Sequence, residues 1–382
     1  MNTAEFLNIA NAIAPDKEAI IFEEKRFTFG GLNQRSTQLA HALQGMGIGK
    51  GDPVGIMQVN CNEVAEVYFA CAKLGAIFVP LTFRAKAEEL RQIVNASEAR
   101  VVFAGIRYVP LIHELRDNLT RVEHFISLEG EAEGFTEYED VLAGQPDDDV
   151  IADVDDEDTT ILMFTAGTTG LPKGVMLTYK SMSSFALNNV VPLDPEDYEK
   201  NILTVPLYHV AGIQTVISSV YGGRTLVVQR QFDPLAWMEL VERERVQRAM
   251  MVPTMLKQLM DHQKFADYDL SSLQVVTYGA APMPLAVIKR AIELLPGARF
   301  INAFGQTESA ATITMLGPED HVIEGSPEEI EKRLKRLGSI GKPLADVEVG
   351  GVVAWCDLQS TGPETGVHSI VCNYGNSSPQ QG

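Results

Sequence analysis

The residues with the plainest chemistry are Thr165-Ala166-Gly167-Thr168-Thr169-Gly170-Leu171-Pro172-Lys173-Gly174, which pack three hydroxyls, three glycines and one lysine into ten positions. Such a run suits an anion. Glycines let backbone N–H groups approach a ligand without Cβ interference, threonine hydroxyls add donors, and lysine adds a point charge. Polyphosphate is the natural guest. A Walker-type loop would need Gly, four residues, then Gly-Lys-Ser/Thr. Counting from Gly167, Pro172 falls where the second glycine belongs and Gly174 where the hydroxyl belongs, although Lys173 is in place. A Gly/Thr surface turn would share this composition.

Three further segments each follow a predicted strand: Pro206-Leu207-Tyr208-His209-Val210-Ala211-Gly212, Tyr278-Gly279-Ala280-Ala281-Pro282 and Phe304-Gly305-Gln306-Thr307-Glu308. Loops at the same edge of one sheet converge, so all four segments are expected to line a single cleft. Thr307 offers a hydroxyl for a phosphate and Glu308 a carboxylate for magnesium, which ATP chemistry requires as pyrophosphate leaves. His209, taken alone, reads either as a satisfied core histidine or as a catalytic one. The small, apolar Tyr278–Pro282 segment lets backbone press against a flat ring.

Taken together in this order, the motifs resemble the adenylate-forming superfamily of acyl-CoA synthetases, firefly luciferases and peptide-synthetase adenylation domains. The loop differs in having Ala166 where the family usually has serine. The resemblance implies that Thr165, Ala166, Gly167, Thr168, Thr169, Gly170 and Lys173 grip phosphates of ATP, with Thr165 and Glu308 holding Mg2+. It also implies that Gly279, Ala280, Ala281, Asn302, Ala303, Phe304, Gly305 and Thr307 surround the nucleotide, with Phe304 near adenine and Thr307 on the α-phosphate. By the same resemblance His209, Ala211, Tyr278, Gly279 and Gly305 form the acid pocket, and His209, Thr307, Glu308 and Lys173 carry catalysis. Amino-acid-activating members pair their substrate ammonium with an aspartate in the histidine segment. None stands between Val205 and Gly212, so the acid should lack an α-amino group. Tyr278 narrowing the pocket would favour an aryl or short-to-medium acyl tail.

These segments need a scaffold of strands and helices to position them. Ala19–Phe29 reads as a hairpin, and an apolar helical face at Leu32, Leu39, Ala40 and Leu43 follows. Strands at Val54–Val59, Ala76–Leu81 and Arg100–Ala104 then alternate with helices at Asn62–Leu74 and Ala87–Ala96. Beyond Thr160–Phe164 and Val175–Leu177 the alternation resumes, with strands at Ile202–Val205, Thr225–Val228, Arg248–Val252, Gln274–Tyr278 and Arg299–Ala303. The fold class is α/β with largely parallel sheets between helices. The resemblance implies a large N-terminal domain of two sheet-and-helix lobes in a layered αβαβα arrangement. The acidic run Asp147–Asp158 is expected to be solvated and poorly ordered, so the lobes are divided near it, at 1–157 and 158–349.

With 382 residues, 45% of them hydrophobic, the chain can bury a large core. Its formal charge of -20 argues against nucleic acid or an anionic membrane as partner, and leaves ATP dependent on local donors and metal. Cys61, Cys71, Cys356 and Cys372 have no metal-ligand spacing, and the first residues lack a signal-peptide pattern, so a reduced, cytoplasmic setting is expected. Homodimerisation is compatible with this reading.

The resemblance stops after Val349. Residues 350–382 contain no Lys or Arg and show neither structural period, so they read as disordered and as unrelated, out-of-frame sequence in place of the family's small C-terminal domain. The expected function is an ATP-dependent ligase joining a fatty or aromatic acid to coenzyme A through an acyl-adenylate, impaired by that loss. The alternatives are a non-catalytic nucleotide- or acyl-adenylate-binding module and a luciferase-like oxygenase.

Overall fold

The structure, a computed structural model, describes residues 1–165, 172–310, 312–345 and 347–349; the sequence expectations for Ala166, Gly167, Thr168, Thr169, Gly170 and for 350–382 fall outside them. Two sheets organise the chain. Their strands are β1 (Glu18–Phe22), β2 (Lys25–Thr28), β3 (Pro53–Met57), β4 (Ile77–Leu81), β5 (Val101–Gly105), β6 (His124–Leu128), β7 (Thr136–Glu137) and β8 (Thr159–Thr165). The remainder are β9 (Lys173–Thr178), β10 (Lys200–Leu203), β11 (Thr225–Val228), β12 (Arg248–Met251), β13 (Val275–Gly279), β14 (Arg299–Gly305), β15 (Thr312–Leu316) and β16 (Lys342–Pro343).

The seven-stranded sheet runs β7-β6-β5-β3-β4-β8-β9 and the nine-stranded sheet β16-β15-β14-β13-β12-β10-β11-β1-β2. Inner pairs are parallel, as the βα alternation requires, because parallel neighbours need a crossover between them. Three helices, Ala4–Ile13, Phe29–Gly45 and Asn62–Leu74, share one continuous core with inward residues of both sheets, such as Ile56 and Phe103 on one and Ile20 and Leu203 on the other. Val210–Tyr221 completes that middle layer. Ala87–Ser97 and Val109–Leu115 cover the outer face of the smaller sheet. Pro234–Glu244, Pro253–Asp261 and Leu285–Leu294 cover the larger one. The layers are therefore αβαβα.

Two expectations about organisation need correcting. The sheets do not divide at residue 157: β1 and β2 join the later strands through β1–β11 pairing (Ile20 with Leu226), while β8 and β9 join the earlier ones through Phe78 with Ile161. Local periodicity identifies a strand but not its partner, which is set by the apolar faces left to cover. The acidic run is also fastened along the first lobe. Asp149 Oδ1 accepts from the buried Lys73 Nζ at 2.7 Å, Asp158 pairs with Lys50 at 2.7 Å, and Ala152 N–H donates to the Lys73 carbonyl.

Local capping explains several boundaries. Asp233 accepts from Ala236 N–H with Pro234 at the first helical position, as expected. Sequence reasoning passed over the helix Pro327–Leu337. Its signal is Ser326-Pro327-Glu328-Glu329, a reciprocal box in which Ser326 and Glu329 satisfy each other's backbone N–H.

Candidate active site

Thr165 and Lys173, from the phosphate-type run, lie opposite each other at the end of the antiparallel β8–β9 pair. Lys173 and Gly174 are exposed. This hairpin edges the seven-stranded sheet, whereas the other three segments follow β10, β13 and β14 of the nine-stranded sheet. The expectation of one rim on one sheet is thus corrected: the site lies where two sheets meet. Strand β9 packs against the turn Thr307–Ser309, which brings Lys173's strand to Thr307 and Glu308.

That turn is locked by its own bonds. Ser309 N–H donates to the Gln306 carbonyl, Gln306 N–H to Ser309 Oγ at 3.2 Å, and Ala310 N–H to the Thr307 carbonyl. Ala310 closes it with φ 61°, a left-handed conformation costing a residue with Cβ about 1 kcal/mol. Glu308 is exposed and has no cationic partner among the described residues, so its carboxylate is free to meet a cation.

The histidine segment is held from the other lobe. Asn60, buried just beyond β3, accepts from Leu207 N–H at 2.9 Å through Oδ1 and donates through Nδ2 to the Val205 and Gln229 carbonyls at 3.1 and 3.2 Å. Gly212 sits so close to this turn that a Cβ would stand 2.4 Å from the Pro206 carbonyl oxygen. His209 caps Val210–Tyr221 in extended conformation and keeps part of its ring in solvent. Protein packed against the ring's inner side and, second, the Arg84 guanidinium hold its imidazole below the ordinary range, which favours the neutral form. Tyr208 lies 4.3 Å from it, ring to ring, and Phe83 edges onto Tyr208 at 5.1 Å. Asn60, Phe83 and Arg84 were not anticipated from the sequence. They lie beyond the ends of β3 and β4, so the strand-end rule applied to the first lobe would have found them.

Gly279 is the closest approach in the site: a Cβ there would lie 2.1 Å from the Ala303 carbonyl oxygen, across the β13–β14 register. Ala280 follows at φ 62°, and Ala280 and Ala281 are exposed. On β14, Ile301, Ala303 and Gly305 line a cavity of about 300 Å³. The period of two sends Asn302 and Phe304 to the opposite face, where Asn302 Nδ2 donates to the Ser339 carbonyl at 3.1 Å.

Ala211, Ala280, Ala303 and Gly305 meet in that cavity, whereas Lys173, His209, Thr307 and Glu308 lie outside its wall. Tyr278 does not narrow it. The same alternation turns its ring into the outer core, where its hydroxyl lies 2.9 Å from His321 Nε2.

Residues 8–353 match the family described as AMP-binding enzyme. The chain belongs to that family. It is 32% identical over 343 residues to a feruloyl-CoA synthase of Amycolatopsis, an alignment covering 89% of this chain and 64% of that protein. The N-terminal domain of FACL13 from Mycobacterium tuberculosis superposes with a TM-score of 0.79 at 28% identity, over 91% of this chain and 83% of that one. The anthranilate CoA ligase AuaEII in complex with anthranoyl-AMP superposes with a TM-score of 0.81 at 26% identity, over 91% of this chain and 65% of that one. The chain spans under two thirds of the length of curated relatives it matches, 64% of the feruloyl-CoA synthase and 62% of a fatty-acid CoA ligase. Among the described residues no helix is long and apolar enough to cross a membrane.

Proposed function

We propose that this domain binds ATP and a carboxylic acid and joins them as an acyl-adenylate, releasing pyrophosphate, in an AMP-forming ligase whose final acceptor is the thiol of coenzyme A. Two observations support the reading in a member of the AMP-binding family: β9 packs against the Thr307–Ser309 turn, and one cavity is lined from the histidine segment, Ala280 and the end of β14. The adenylate held by the AuaEII ligase of the same fold supports it.

In this reading Lys173 and the loop it closes draw in the β- and γ-phosphates, while Thr165 and the unpaired Glu308 hold magnesium, which offsets phosphate charge. Thr307 meets the α-phosphate. Gly279 and Ala281 on one side and Asn302 and Phe304 on the other flank adenine, while Ala280 and Ala303 face the neighbouring cavity. His209, kept neutral, orients the acid's carboxylate and adds no charge that would pin it to the histidine. Ala211 and Gly305 bound the acid's tail. A cytoplasmic setting and homodimer formation belong to this proposal as well.

Carboxylate-dependent exchange of labelled pyrophosphate into ATP tests it. The full chain should exchange in the presence of magnesium, and Glu308→Gln should lower the rate at least about 100-fold, the usual scale for losing one electrostatic stabiliser. ATP binding without exchange, over a range of aryl and alkyl acids, would instead mark a nucleotide-binding module.

A further inference from the structure

The lining of the cavity beside the strand ends changes along the sheet, from Ala211, Ala280, Ala303 and Gly305 at one end to Asn201, Arg224 and Arg248 at the other, here its floor. Along the nine-stranded sheet it runs from Gly305 and Ala280, at the ends of β14 and β13, down to Asn201 and Arg248, near the starts of β10 and β12. One helix forms its opposite wall. Val210, Ala211, Gln214, Thr215 and Ser218 recur at helical spacing on the cavity face of Val210–Tyr221, while Ile213, Val216, Ile217 and Val220 enter the core. At about 1.5 Å per residue, Gln214 lies about 5 Å and Ser218 about 10 Å below Ala211.

Gln214 is 7% exposed, and its side chain is only half satisfied. One end of the amide lies 3.3 Å from Ser218 Oγ; the other, Oε1, is buried with no hydrogen-bond partner among the described residues. Turning the amide over exchanges the atoms but still leaves one polar group bare. A buried polar group without a partner is costly, and a ligand that supplies one recovers that cost. Below it stand Arg224 and Arg248, both bonded to the carboxylate of Glu199, with Asp197 also near Arg224. Two cations thus face two anions, so the floor offers donors without net positive charge.

We propose, on the acid-activating reading above, that the preferred acid is compact and carries a neutral hydroxyl about 5–10 Å from its carboxyl group, as a hydroxyaryl acid does. A hydroxyl both donates to and accepts from an amide or guanidinium. A distal carboxylate would enter a floor whose charges already cancel, and an unsubstituted alkyl chain would leave Gln214 unpaired. The cavity, at about 300 Å³, is at the small end of ligand pockets and suits a ring better than a long chain.

Calorimetry on the full chain, titrated with acylsulfamoyl-adenosine analogues of adenylates, tests this. The 4-hydroxybenzoyl and 4-hydroxycinnamoyl analogues should bind at least about tenfold tighter than their unsubstituted counterparts, and all four tighter than dodecanoyl. Gln214→Leu should erase the hydroxyl preference while retaining the unsubstituted analogues. Gln214→Met gives the same readout should the leucine variant fail to fold, and Ser218→Ala should reduce the preference less. Equal affinity with and without hydroxyl, a preference surviving in Gln214→Leu, or tightest binding of the dodecanoyl analogue overturns the inference but leaves acid activation standing. Failure of every analogue to bind sinks both.

Discussion

Replacing Gly279 by alanine should damage the molecule far beyond the size of one methyl group. The added Cβ would stand 2.1 Å from the Ala303 carbonyl oxygen, whereas ordinary contact begins near 3.4 Å, so the strands must separate by about 1.3 Å. The obstacle is backbone, and no side-chain rotation relieves it. Gly279 and Ala303 end the β13–β14 register, so the opening also strains Tyr278 and Asn302 beside them. Overpacking of this kind costs about 1–3 kcal/mol. Losing one ladder bond adds about 1 kcal/mol, for a total of about 2–4 kcal/mol. Gly297→Ala is the control, because its Cβ would meet nothing within 4 Å and it should change stability by about 0.5 kcal/mol or less. Equilibrium urea unfolding followed by tryptophan fluorescence reads the right region, since Trp237 is buried in the core under the same sheet. Gly279→Ala should shift the midpoint well below that of Gly297→Ala. Coincident midpoints would refute the claim that backbone approach, rather than local turn preference, demands glycine at 279.

Three further outcomes are expected. Asn60→Ala removes the clamp on the histidine segment and should cost about 2–3 kcal/mol in urea unfolding, while lowering pyrophosphate exchange about 100-fold with little change in ATP affinity; unchanged exchange would show that the clamp does not position His209. His321 donates from Nδ1 to the Gly317 carbonyl at 2.7 Å and accepts from the Tyr278 hydroxyl at Nε2, and burial holds its pKa below 6.5 against the opposing pull of Asp320 and Glu319. The unfolded chain therefore binds this proton more readily, so stability should fall as pH drops below about 6.5, and His321→Gln should flatten that part of the unfolding midpoint's pH profile. Asp149→Ala, which strands the buried Lys73 ammonium, should destabilise by about 2 kcal/mol in thermal melts, more than Lys73→Met, which leaves the half-exposed Asp149 to water.

Much of the scaffold was written locally. The helix Asn62–Leu74 and the strand Thr225–Val228 fall where their period places them, because that signal acts within a few residues. The glycines at 212 and 279 stood out in composition, but their necessity appeared only once Pro206 and Ala303 were seen facing them. The polar stripe Gln214, Thr215, Ser218 was not singled out from the sequence, because a helical period alone does not say whether such a face meets solvent or a cavity.

The order of residue types along the chain set the expectation of which segments bind a triphosphate and an acid, since hydroxyls, glycines and carboxylates carry that chemistry wherever they stand. Tertiary packing decided that the β8–β9 hairpin belongs to a different sheet than the other three segments, that Tyr278 faces the core, that Asn60 holds Leu207 and that Arg84 lies near His209. Those outcomes depend on which apolar faces are buried against each other across more than a hundred residues. Such pairings are chosen by the whole core, so no short window of sequence contains them.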